Sequence, residues 1–140
     1  MPKSAKRFDR LLRVRTLQLG QVRGQEVAAR AKVAQEEALR TRIAQLSANV
    51  APAAEASGAI SMIAAAHYRE RLHQSAHVAT QRVEVAEQNL TRAENATREA
   101  KRDQSAIEKL IARGEADAAL RALRALEAMP PTGKNRHDIC

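Results

Sequence analysis

The chain has 140 residues and a net charge of +8, and its 44% hydrophobic share contains only 1% aromatics. Phe8 and Tyr68 are the only Phe, Tyr or Trp and much of the apolar share is alanine, which excludes a globular core built on aromatics and large aliphatics. Alanine with Glu, Arg, Lys and Leu is the material of long helices, and five Gly and four Pro leave few places to turn.

The first predicted element is a helix over residues 6–50. Residues 1–42 hold eleven Lys and Arg against four acids (Asp9, Glu26, Glu36 and Glu37), and the rest of the chain is nearly balanced. A cationic helix of this kind suits an acidic partner, nucleic acid or anionic lipid, or is a solvated face. Gly20 and Gly24 each cost about 1 kcal/mol relative to alanine in a helix interior. Set among arginines, they read as a softened helix rather than a membrane dimer motif. The clearest seam is Leu39, Ile43, Leu46 and Val50, at coiled-coil spacing. Traced backward, it passes through Lys32 and Glu36, Gln25 and Ala29, Gln18 and Val22, Leu11 and Arg15, and Phe8, so it turns polar in the middle. The eleven-residue spacing of Leu11, Val22 and Val33 leaves the register before Leu39 open.

Residues 51–58 read Ala-Pro-Ala-Ala-Glu-Ala-Ser-Gly. Pro52 disfavours helix at Ala51 and Gly58 permits turn dihedrals, so this is the predicted connection. A second helix follows over 59–113. Its seam is Leu72, Ala76, Ala79, Val83, Ala86, Leu90, Ala93, Thr97, Ala100, Gln104, Ile107 and Ile111. Gly114 predicts a break, after which residues 115–128 resume a helical pattern with Leu120, Leu123 and Leu126. Pro130 and Pro131 end it, leaving 129–140 as a flexible tail. The expected fold is all-α: a long antiparallel two-helix coiled-coil hairpin over 1–128, with a short C-terminal helical extension.

Little in the sequence carries chemistry. No nucleophile, base and orienter can be grouped, no glycine-rich phosphate loop is present, and a two-helix structure lacks a concave site that excludes water. The expectation is a protein that is not an enzyme and needs no cofactor. His73 and His77 share a helix face, but no third ligand of the right type follows on that turn, and His137, Asp138 and Cys140 fall on the tail; no metal site is expected. Arg7, Arg10, Arg13 and Arg15 could meet phosphates, yet there is no stacking array and no DNA-binding motif, which argues against nucleic acid. Cys140 is the single cysteine, the N-terminus has no apolar run behind its charges, and no stretch approaches a membrane span. These features predict a soluble cytoplasmic protein.

The opening Phe8-Asp9-Arg10-Leu11-Leu12-Arg13-Val14-Arg15 resembles the start of FliJ-type flagellar export stalk proteins. The stretch Ala100-Lys101-Arg102-Asp103-Gln104-Ser105-Ala106-Ile107-Glu108-Lys109-Leu110 is similar to the segment near the end of their second helix, and Arg136-His137-Asp138-Ile139-Cys140 to the tail of some of them. The likeness covers roughly residues 6–126 in helix layout and charge. It implies an antiparallel coiled coil like the central stalk of rotary ATP synthases, seated in the hexameric export ATPase. It also implies contact with the cytoplasmic domain of the export gate, escort of export chaperones, and a peripheral position at the inner membrane near the flagellar base. Arg7, Arg10, Arg13 and Arg15 would then form the ATPase-facing basic tip. The family's gate contact is an aromatic and a leucine four apart, which Tyr68 and Leu72 match; its further histidine aligns near Ala79 and is unmatched. The alternative reading is a coiled-coil adaptor or a non-specific nucleic-acid-binding protein.

Overall fold

The computed structural model describes residues 2–49 and 59–131. Two helices account for nearly all of them: α1 (Pro2–Asn49) and α2 (Ala59–Ala128). They pack against each other, and no strand occurs among the described residues. α1 starts earlier than residue 6, because a proline in the first turn gives up an N–H that the helix does not use. The predicted connection at 51–58 and the tail from 132 lie outside the described residues.

The expected break at Gly114 is absent. α2 runs through it without interruption, so residues 115–128 are the end of α2 and not a separate extension. One glycine costs about 1 kcal/mol, and strong helix formers on both sides (Ala112 and Arg113, Glu115 and Ala116) outweigh it. The stop comes at the proline pair. Met129 N donates to the Leu126 carbonyl at 3.2 Å, a tightened last turn, and helix cannot continue into Pro130 and Pro131.

The chain divides into two compact units: one joins Met1–Leu17 to Lys101–Cys140, and the other is Gln18–Ala100. In the second, the α2 seam is the one expected. Leu72, Ala79, Val83 and Ala86 are buried, and Ala76, Leu90, Ala93, Thr97 and Ala100 are half-buried. Thr97 fits an apolar seam because its hydroxyl donates to the Ala93 carbonyl, one turn back, at 3.0 Å. In the first unit, Gln104, Ile107 and Ile111 continue the same spacing, half-buried.

On α1 the expected register is half right. Phe8, Arg15, Val22, Ala29, Glu36 and Ile43 all turn inward. The second column does not follow Leu11, Gln18, Gln25, Lys32 and Leu39, which are exposed; it lies one residue on, at Leu12, Leu19, Glu26 and Val33. The leucines at 39 and 46 misled the tracing: they are 38% and 43% exposed and flank the seam. Counting from the shared column by four and then three, rather than three and then four, gives the observed face.

The helices are antiparallel within each unit. In the second, Arg30 pairs with Glu94 and Glu36 with Arg82, so a rising number on α1 meets a falling one on α2. In the first, Arg15 pairs with Asp103 while Phe8 shares a cleft with Ile111.

Candidate functional site

The first seventeen residues of α1 carry six bases (Lys3, Lys6, Arg7, Arg10, Arg13 and Arg15) against one acid, Asp9. The α2 stretch 101–131 of the same unit carries six bases and five acids, so the unit's positive excess belongs to α1. The seam explains where these charges point. With Phe8, Leu12 and Arg15 turned inward, helical periodicity sends positions 3, 6, 7, 10 and 13 to water, and all five are exposed.

The four arginines read from the sequence as a basic tip are therefore not equivalent. Arg7, Arg10 and Arg13 are solvent-facing, and none of them forms an ion pair among the described residues. Arg15 stands at a seam position, and its guanidinium donates to Asp103 Oδ2 at 3.2 Å. Next to it Gln104 Nε2 donates to Thr16 Oγ1 at 3.1 Å. Arg15 thus pairs the two helices, while Lys3 and Lys6 share the exposed face with Arg7, Arg10 and Arg13; the spacing of three and four from Phe8, Leu12 and Arg15 would have found them once the seam column was known.

Beside this cationic face lies a cleft of ≈ 250 Å3, lined by Phe8 and Ala5 of α1 and by Leu110, Ile111, Gly114 and Ala118 of α2. Phe8 is the only aromatic in its lining, which also includes Ser4, Asp9, Glu115 and Arg121.

The second pair of candidate residues also separates. Leu72 is 9% exposed and belongs to the seam with Ala76 and Ala79, whereas Tyr68 is 47% exposed. Of the two, Leu72 faces the seam and Tyr68 faces solvent. His73 and His77 are exposed, and His77 Nε2 lies 3.3 Å from Gln81 Nε2. No group of three or more metal-ligating side chains occurs among the described residues.

Among the described residues, one charged side chain is fully buried. Glu36 is 3% exposed. Its Oε1 accepts from Arg82 at 2.9 Å and sits 3.0 Å from Lys32 Nζ; its Oε2 is buried without a hydrogen-bond partner. The Lys32 hydrogen bond holds the carboxyl below its ordinary value of 4.5, with Arg82 adding to the effect and burial opposing it. The backward-traced seam placed Glu36 inside; Arg82 could not be foreseen, because naming it requires the register between the helices.

No helix among the described residues is long and apolar enough to cross a membrane. Compared with family models, curated proteins and solved structures, the chain matches none.

Proposed function

We propose that this chain is a FliJ-type flagellar type III export stalk and escort. It contacts the hexameric export ATPase, the cytoplasmic domain of the export gate and export chaperones. In this reading it is not an enzyme and binds no cofactor. It works in the cytoplasm, peripherally at the inner membrane near the flagellar base. The observation that carries the reading is the exposed cationic face Lys3, Lys6, Arg7, Arg10 and Arg13, in the unit that contains both ends of the chain. A solvated cluster of one sign steers an acidic partner and binds it without deep interlocking. Tyr68, as an exposed aromatic, supplies a gate contact of the kind the resemblance implies, without Leu72.

The test is capture of purified export ATPase by the intact chain, repeated with Arg7, Arg10 and Arg13 all changed to Glu. Binding by wild type, lost in the triple variant and weakened by salt, supports the reading. Absence of binding by wild type ends it. The same exposed cations also suit phosphates, so a steep salt dependence of affinity for random duplex DNA, in place of ATPase binding, would favour the nucleic-acid alternative.

A further inference from the structure

We infer that the buried Glu36 carboxylate, through Arg82, is the lock that fixes the register of α1 against α2 in the Gln18–Ala100 unit.

An alanine-rich seam specifies register weakly. If α1 moved one heptad along α2, toward its lower numbers, each inward position would meet the α2 residue seven places earlier. The place of Val83 would pass to Ala76, that of Ala86 to Ala79, that of Leu90 to Val83 and that of Ala93 to Ala86. All four remain apolar and two are identical, so burial over this stretch hardly distinguishes the two registers, although further along the place of Ala76 would pass to Arg69.

The surface ion pair does not distinguish them either. Arg30 Nη2 lies 3.8 Å from Glu94 and would find Glu87 in the slipped register, with its 2.8 Å bond to Glu26 on its own helix unaffected. Glu36 is different. Its Lys32 partner sits one turn away on α1 and travels with it, so that contact survives any slip and carries no register information. Arg82 does not travel. In the slipped register its place is taken by Ser75, and in the opposite slip by Asn89. Either way, a carboxylate that already has one unpartnered buried oxygen loses its cationic partner on the facing helix, and Ser75 or Asn89 offers only a shorter, neutral donor in its place. A charged residue that serves one register and penalises the neighbouring ones acts by exclusion of alternatives. The inference holds whether or not the chain is an export stalk.

The test is a distance measurement between nitroxide labels on the full chain. Cysteines replace exposed Ala28 and Gln74, and Cys140→Ser removes the native thiol. A one-heptad slip changes this distance by about 10 Å. Wild type should give one distance. Arg82→Ala and Glu36→Ala should each add a second population shifted by that amount, its share raised about tenfold, the effect of one charge-assisted hydrogen bond. Lys32→Ala should leave one distance, because Lys32 is silent on register. Should Glu36→Ala fail to fold, Glu36→Leu keeps the seam apolar and decides the matter. One unshifted distance in Arg82→Ala and in a folded Glu36 variant overturns the inference. So does a second population of equal size in Lys32→Ala, which would mark simple charge satisfaction.

Discussion

Three valines on α2 separate burial from every other property of the residue. Val83 is 1% exposed, while Val78 and Val85 are 51% and 54% exposed on the same helix. Changing each to alanine removes the same two methyl groups. At about 0.8 kcal/mol per buried carbon, Val83→Ala loses about 1.6 kcal/mol of transfer free energy. A cavity term adds to that, and the better helix propensity of alanine returns about 0.5 kcal/mol. The net expectation is a loss of about 2 kcal/mol. At the exposed sites about half of the transfer loss applies and the propensity gain nearly cancels it, so Val78→Ala and Val85→Ala should stay within about 0.5 kcal/mol of wild type. Urea unfolding followed by helical circular dichroism measures all three, read as midpoint shifts at constant slope. Equal losses at Val83 and Val85 would refute the seam assignment, since propensity and methyl count are identical and only the predicted burial differs.

Gly20, Gly24 and Gly114 are exposed within helices, and a Cβ at any of them would meet nothing within 4 Å. Each Gly→Ala variant should therefore gain about 1 kcal/mol, measured as a raised urea midpoint, and a loss at any of them would show that the flexibility or the space is used. The lowered Glu36 titration stabilises the folded chain above its ordinary value of 4.5, and that stabilisation is lost as the pH falls below it toward the depressed folded value. Wild type should lose stability on acidification through that window more steeply than Glu36→Gln, as unfolding midpoints at successive pH values will show. The Arg15–Asp103 pair is 40% and 53% exposed at its side chains, so a double-mutant cycle should give it less than about 1 kcal/mol, smaller still in high salt.

The second helix was legible because its seam repeats one signal without interruption. From Leu72 to Ile111 every position expected inside is buried or half-buried. The first helix offered two conflicting signals. Large aliphatics at Leu11, Leu17, Leu39 and Leu46 stand exposed, while Arg15, Glu26 and Glu36 turn inward, so residue type and position disagree over much of its length. Hydrophobic periodicity reads a helix face only where apolar residues are inside, and here polar residues occupy three of the inward positions. Gly114 failed as a breaker for a related reason: a glycine ends a helix where its neighbours prefer another conformation, and these do not. At the cationic start of α1, the density of bases was legible but their direction was not. Arg13 and Arg15 differ by two positions and point to water and to Asp103 respectively, a difference that only the seam column decides.

The polar residues of the α1 seam mark a division of labour between stability and uniqueness. Small side chains such as Ala79, Ala86 and Ala93 bury little area each, so the apolar seam gives modest stabilisation and almost no preference among registers. A seam of larger aliphatics would raise the first quantity but would leave the second to shape alone. Arg15, Glu26 and Glu36 reduce apolar burial further, yet each has a defined ionic contact: Arg15 with Asp103 across the helix pair, Glu26 with Arg30 within α1, Glu36 with both kinds of partner. Of these, only a deeply buried charge penalises mispairing strongly, because an exposed one can turn to water. Glu36 is 3% exposed, whereas the side chains of Arg15 and Asp103 are 40% and 53% exposed, so the discriminating power is concentrated at one residue. Replacing Glu36 by leucine should therefore raise the unfolding midpoint while broadening the distribution of helix registers. A variant that gained stability and kept one register would show that the alanine seam, by its shape, selects its own alignment.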